Sequence, residues 1–405
     1  MPENLSPRRE LWLLLTLAGI QLTHIMDFMI MMPLGPQFTA LFHITEAQFG
    51  LLVSAYTLAA GASGLVASTY IDRFGRKRLL LVLYSLFALA TLACGLAPGY
   101  GWLMATRVAA GLFGGVLSAL CQTIIADSIP FERRGRAMAL VMTSFSVSTV
   151  AGVPVGLFLA ARFNWHVPFI AIAALSGLFA VFAALTLPRL NAHLQPGRPA
   201  PFRAIAQVLG DREHQKAFVF SALLMSAGFT VIPYVTIYMT ANAGLRAEQI
   251  PYIYLCGGAA TLISARLVGR MTDRRGKIET FRLMALIGIV PLGAVTVAAG
   301  LPLLGLLVVT TSFFVFMNAR MVPGMALISA VASPQLRGTF MTLNASVQSA
   351  ALGVASLVGG LLIDRGPQGQ VRGYWLAALV GAVMSLAAVW LAGRLRLPPA
   401  APAKT

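Results

Sequence analysis

Runs of about 20 apolar residues, the length of a membrane-crossing helix, recur twelve times along the sequence, separated by short polar intervals. They fall near 11–35, 48–71, 79–97, 102–126, 137–161, 167–187, 217–240, 250–271, 282–299, 303–330, 339–362 and 373–393. A backbone in hydrocarbon must satisfy all its N–H and C=O groups internally, so runs of this length are read as membrane helices. Composition supports the same reading. Of 405 residues, 58% are hydrophobic and 11% charged, and mean hydropathy is +0.80. A soluble domain carries about 25% charged residues, so a soluble globular fold is excluded, as is a disordered chain. The expected fold is all-α, with twelve transmembrane helices.

The net charge of +17 would suggest nucleic acid if the cations were clustered, but 23 of the 30 Lys and Arg residues fall in every second interval between runs. That alternation is the positive-inside pattern. It places both termini in the cytoplasm, makes nucleic acid an unexpected partner, and adds attraction to anionic lipids of the inner leaflet. The five tryptophans, at 12, 102, 165, 375 and 390, lie near run ends, where amphipathic rings favour the headgroup region. Cys94, Cys121 and Cys256 each sit in an apolar stretch without metal-ligand or disulfide spacing. The first run is too long for the apolar core of a cleavable signal, so the first helix is expected to remain.

The longest polar interruption, 188–216, divides six runs from six and contains Pro196, Pro199 and Pro201, with 202–209 expected as a short interfacial helix. The domains are therefore set at 1–187 and 217–393, with 188–216 as a cytoplasmic linker and 394–405 as a cytoplasmic tail. The halves repeat. Asp72, Arg73, Gly75, Arg76 and Lys77 after run 2 are matched by Asp273, Arg274, Gly276 and Lys277 after run 8, and Arg134-Gly135 before run 5 by Arg337-Gly338 before run 11. Parallel repeats of this kind characterise transporters that bind substrate between two bundles near the membrane midplane.

These loops resemble those of the major facilitator superfamily, over essentially the whole chain. The pattern G-x-x-x-D-R-x-G-R-K is met by Asp72 to Lys77, with Ser68 at the leading glycine position; the second-half copy keeps Gly269 there. Two further patterns are similar to those of proton-coupled exporters, especially twelve-span drug:proton antiporters and arabinose-efflux-like permeases. They are Leu103-x-x-x-Arg107-x-x-x-Gly111 and Gly152-Val153-Pro154-Val155-Gly156. The resemblance implies two pseudo-symmetric six-helix bundles. It also implies that the Asp72 and Asp273 loops latch helix ends in one conformation and release them in another, and that the Gly152, Pro154 and Gly156 segment is a bent, closely packed antiporter-motif helix. The other reading of the cations is topological anchoring, and of the proline an ordinary packing kink.

Of thirteen carboxylates, only Asp27 lies well inside a run. An ionisable group in hydrocarbon is a functional hypothesis by default. Asp27 lies about 16 residues, or about 24 Å, from the inner end of run 1, and Arg107 about 8 Å below the outer end of run 4. Their depths are compatible, and the resemblance implies that runs 1 and 4 touch. Asp27 and Arg107 are thus expected to pair, either as a switch that a proton opens or as a permanent salt bridge. Gln21 and His24 share a side of run 1 with Asp27. Gln21 is placed on the substrate cavity, and His24 either relays protons or is simply hydrogen-bonded in the core. Arg320, near Asn318 and Pro323-Gly324 in run 10, is expected on the cavity, where it holds an anionic substrate group, replaces a mobile proton or packs against carbonyls. Gln122 and Asn344 offer further hydrogen bonds there.

No Walker-type loop, metal cluster or nucleophile motif stands out, so an enzyme or an ATP-driven pump is not expected. The expected cofactor is none, the drive being a proton gradient. The expected partners are a small-molecule substrate, protons and membrane lipids, with the chain a monomer in the cytoplasmic (inner) membrane. The function expected is proton-coupled export of small lipophilic or amphipathic compounds. The alternatives are efflux of a sugar-like or polar metabolite, proton-linked uptake, and, from another class, a non-transporting receptor or lipid-handling scaffold.

Overall fold

The computed structural model describes residues 6–71, 73–188, 201–332 and 336–396. Helices fill nearly all of it. Span 1 is Pro7–Ile30, span 2 Glu46–Tyr70, span 3 Arg76–Gly95, and span 4 Tyr100–Gly114 with Leu117–Ser128. Span 5 is Phe131–Val147, a π-helical turn Ser148–Gly152 and Val153–Arg162, and span 6 is His166–Thr186. Spans 7 to 12 are Arg212–Phe229 with Val235–Ala241, Ile250–Arg275, Lys277–Ala294, Leu303–Ala319 with Met321–Val331, Arg337–Leu361 and Tyr374–Ala392.

Eleven of these have the length and apolarity to cross a membrane. The exception is span 9: Lys277, Glu279 and Arg282 occupy its first two turns, so its 18 residues hold no uninterrupted apolar stretch of full length. It nevertheless packs between spans 10 and 12 as its repeat counterpart, span 3, packs between spans 4 and 6.

The breaks inside spans follow proline chemistry. Run 1, expected to reach residue 35, is helical only to Ile30; Pro33 and Pro36 lack the N–H that would continue the ladder, and a separate short helix, Gly35–Leu41, starts with Pro36 in its first turn. Span 7 stops at Phe229 and resumes beyond Pro233, a break at the matching place of the repeat. In span 5 the π-helical turn ends two residues before Pro154, which cannot donate to the preceding turn.

Contacts recur with a six-span offset. Spans 1 and 5, 1 and 6, 2 and 4, and 3 and 6 pack together, as do spans 7 and 11, 7 and 12, 8 and 10, and 9 and 12. The two bundles join along spans 2 and 11 and where span 5 meets span 8. The second junction lies chiefly on Ser148–Arg162 of span 5, away from the basic loops. The cores show the same asymmetry. At the end away from the basic loops one apolar cluster includes both bundles, with Met31, Leu34, Phe38 and Phe49 packed with Tyr234, Val235 and Ile237. Towards the basic end each bundle has its own cluster, one around Leu17, Tyr84 and Leu120, the other around Phe220, Phe281 and Leu327. The halves are thus sealed at the far end and separate towards the basic end, except along spans 2 and 11.

The helix expected at 202–209 is Pro201–Gly210. Its Val208 is buried among residues of the second bundle, and the helix touches spans 2, 7 and 11 across the basic end. Asp211 caps span 7, and Arg212–Lys216, expected in the linker, form its first turn; residues 189–200 and the C-terminal tail beyond residue 396 lie outside the described residues.

Candidate proton-coupling and substrate site

Asp27 and Arg107 are fully buried in the first bundle and joined by a 2.7 Å bond from Arg107 Nη1 to Asp27 Oδ2. The same nitrogen lies 3.3 Å from the Asp27 carbonyl oxygen, and the guanidinium carbon sits 4.4 Å from the centroid of the Tyr56 ring. Three helices therefore hold the pair. Span 4 approaches span 2 closely enough because residue 111 is glycine: a Cβ there would strike the Tyr56 carbonyl, and one at Gly114 would lie 2.8 Å from the Tyr56 hydroxyl and 3.0 Å from His24. The cluster is under-bonded. Asp27 Oδ1, Arg107 Nε, the Tyr56 hydroxyl and both ring nitrogens of His24 are buried without a hydrogen-bond partner. A buried ion pair broken on one side costs about 3–5 kcal/mol, so neither charge is stable in this place without the other.

Phe28, the residue after Asp27, faces the other way. Its ring stacks on Tyr56 at 5.7 Å and on Phe229 of span 7 at 6.2 Å, and it lines a cavity of about 150 Å³ between the bundles. Spans 1, 5, 7, 8 and 10 form the wall, almost wholly apolar, with Asn318 and Arg320 as its main polar residues. Arg320 is 3% exposed, and its Nη1 donates to Ser385 Oγ at 2.9 Å. Two of the five expected cavity residues, Asn318 and Arg320, therefore border this cavity. The other three do not. Gln21 accepts a 3.0 Å bond from Ser118 within the first bundle, Gln122 is exposed, and Asn344 is buried with its Oδ1 unpartnered. Among the described residues no cluster of His, Cys, Asp and Glu has the makings of a metal site.

The Major Facilitator Superfamily model matches residues 17–320, three quarters of the chain. This chain belongs to that superfamily. It is 26% identical to the uncharacterized MFS-type transporter YtbD of Bacillus subtilis (strain 168), covering 86% of each chain. It is also 26% identical to a chloramphenicol resistance protein of Streptomyces lividans, over 85% of this chain and 87% of that one. The fold is similar to that of a bacterial homolog of the human lysosomal transporter Spinster, solved inward-facing and unoccupied (TM-score 0.77, 18% identity, 98% of this chain and 100% of that one). It is similar too to a D-xylose–proton symporter (TM-score 0.74, 19% identity, 95% and 97% covered). As a superfamily transporter the chain is a multi-pass integral membrane protein that moves a small molecule.

In this superfamily member the loop after span 2 ties together helix ends of one bundle. Gly75 caps span 3, Arg76 donates to Asp127 Oδ2 of span 4 at 3.2 Å and to the Ile71 carbonyl at 2.7 Å, and Lys77 Nζ reaches the carbonyls of Ala184 and Leu187 at the end of span 6, both at 2.7 Å. Arg73 is exposed, and Asp72 lies outside the described residues. In the second copy Asp273 and Arg274 are exposed, and a Cβ on Gly269 would meet nothing within 4 Å. Gly276 turns the chain between spans 8 and 9 at a φ of +91°, a conformation favouring glycine.

The Gly152, Pro154 and Gly156 segment packs on span 1 at residues flanking Asp27. A Cβ on Gly152 would lie 2.7 Å from Met26, and one on Gly156 2.6 Å from Ile30. Gly152→Val is expected to lower the thermal midpoint of the purified protein, reflecting overpacking of about 1–3 kcal/mol. Gly177→Val is the control: a Cβ there meets nothing within 4 Å, so its midpoint is expected to match that of the unaltered protein.

Tyr56 and Asp127 escaped the sequence reading. Tyr56 resembles any aromatic in an apolar run, and Asp127 reads as an ordinary span-end acid; the matching basic residue in the Asp72 loop was the available clue. A third omission lies at the far end, where Arg365 donates to Glu46 Oε1 at 2.6 Å and to Thr39 Oγ1 at 3.2 Å, joining the two bundles.

Proposed function

We propose that this transporter is a proton-coupled exporter of small lipophilic or amphipathic compounds in the cytoplasmic membrane, working by rocking of its two bundles. The observation that carries this reading is the buried Asp27–Arg107 pair, set one aromatic layer behind the cavity wall. In this reading the basic end is cytoplasmic, the arrangement with its far end sealed is the inward-open state, and Asp27 binds Arg107 after giving its proton to the cytoplasmic side. Substrate enters from that side. After the bundles rock, a proton from outside neutralises Asp27 and frees Arg107, the ring of Tyr56 over the guanidinium shifts, and Phe28, stacked on Tyr56, moves in the cavity wall to release the substrate. Proton and substrate thus compete without touching. The apolar wall supports lipophilic cargo over sugar-like metabolites, and the chloramphenicol resistance relative supports the export direction.

The test is substrate-evoked proton movement in everted vesicles, with chloramphenicol and a panel of cationic, neutral and anionic aromatic compounds. At least one compound is expected to dissipate an imposed pH gradient only in vesicles containing the protein. No response from any compound would overturn the exporter reading.

A further inference from the structure

Arg320 is a buried cation with no acid beside it: no Asp or Glu borders the cavity, and no ion pair is made by Arg320 among the described residues. Its Nε lacks any hydrogen-bond partner, Ser385 supplies one neutral acceptor, and Nη2 lies 3.1 Å from where a Cβ on Gly228 would stand, against the cavity wall. The remaining wall is mostly apolar, with Phe28, Phe229, Phe314 and Met317 prominent, and its other polar groups, among them Asn318, are uncharged. Asp27 offers nothing to a positively charged ligand here, because it does not border the cavity and is engaged by Arg107 behind Phe28 and Tyr56.

We propose that this cavity selects aromatic monoanions, which seat their carboxylate on Arg320 and their ring among Phe28, Phe229 and Phe314, and that it rejects lipophilic cations. The proposal rests on reading the cavity as the substrate site and adds its charge class. A guanidinium presents a planar fork of donors that a carboxylate oxygen pair matches. A bound carboxylate supplies both the countercharge and the acceptor that Nε lacks. An ammonium ligand would instead meet an uncompensated like charge at low dielectric, where repulsion is many times stronger than in water. A neutral acceptor such as a nitro or carbonyl group gains the hydrogen bond without the charge and ranks between the two.

Equilibrium binding of three matched probes tests this: 2-naphthoate, 2-acetylnaphthalene and 2-naphthylmethylammonium, titrated by calorimetry into the full chain in nanodiscs against empty nanodiscs. The expected order is carboxylate, then ketone, then ammonium, with at least about a tenfold gap between the charged probes, as for one charge-assisted hydrogen bond. Arg320→Gln is expected to remove the gap. Gly228→Asp, which places a carboxylate against the guanidinium, is expected to occupy the site from within and weaken 2-naphthoate in the same way. Carboxylate binding no tighter than ammonium in the unaltered protein overturns the proposal, and needs no variant to fold. A preference that survives both substitutions in protein that elutes as the unaltered chain overturns it too. Binding is read without a pH gradient, so failed proton coupling would sink the exporter reading and leave this order standing.

Discussion

Asp27→Asn is expected to abolish substrate-evoked proton movement, to the level of vesicles without the protein, while downhill exchange of substrate continues and no longer responds to pH. The substitution changes little in shape. An asparagine oxygen can still accept from Arg107 Nη1, the second contact of that nitrogen with the residue 27 carbonyl is untouched, and Tyr56 still covers the guanidinium. What is lost is the carboxyl group that Arg107 holds inside the first bundle, and with it the place for a transported proton. Asp27→Ala is different. It leaves Arg107 buried with no side-chain acceptor, at a cost of about 3–5 kcal/mol, and is expected to lower expression and thermal stability as well as transport.

The double variant Asp27→Asn, Arg107→Gln separates a switch from a permanent bridge. Both charges are gone, so the desolvation penalty goes with them, and replacing a whole buried pair by neutral groups is often close to neutral for stability. If the pair only held the fold, this variant would regain proton-coupled transport along with stability. The expected result is stability close to that of the unaltered protein without recovered coupling. His24 provides the remaining route for a proton, since both its ring nitrogens are buried and unpartnered beside Tyr56 and Phe87. Proton movement that persists in Asp27→Asn and disappears in His24→Gln would transfer the proton site to the histidine.

The helices and their order were legible because membrane spanning imposes a length and an apolarity that each run displays on its own. Span 9 was legible as the apolar run 282–299, but in the structure it starts earlier, at Lys277, and takes Lys277, Glu279 and Arg282 into its first two turns. Asp27 stood out because a carboxylate within an apolar run is rare, and counting residues from the span ends put Arg107 at its depth; the two are joined in the structure. Gln21 shows the limit of such reasoning. Helical spacing placed it on the face of His24 and Asp27, but whether that face meets a cavity or a neighbour depends on how span 4 packs, and Ser118 is there. The same holds for the far-end seal. Glu46 and Arg365 are separated by 319 residues, and each reads as an interfacial charge until two bundles are brought together.

That pair yields the second large effect. Glu46 is 2% exposed, at the start of span 2; Arg365 stands on a two-stranded hairpin after span 11, where Asn242 of span 7 bonds both the N–H and the C=O of Val371 on the opposite strand. The hairpin thus presents Arg365 to Glu46 and Thr39 only while the far ends of the bundles are together. Arg365→Ala leaves the Glu46 carboxylate buried and unpaired in the closed arrangement, whereas opening the far end lets water reach it. The closed state alone is destabilised. Arg365 is 43% exposed, so its direct contribution is discounted for solvent to about 1 kcal/mol, which changes the ratio of closed to open molecules about fivefold. Spin labels at Leu41 and Gln368, one on each bundle at the far end and both exposed, report that ratio as a distance distribution. Arg365→Ala is expected to add a longer distance absent or minor in the unaltered protein, and Glu46→Gln, which removes the stranded charge, to add less of it. Affinity for a cytoplasmic ligand should fall in proportion to the closed fraction, because only that fraction presents the cavity to the basic end. A distance distribution unchanged by Arg365→Ala would show that the apolar seal around Phe38, Phe49 and Tyr234 holds the far end shut without the ion pair.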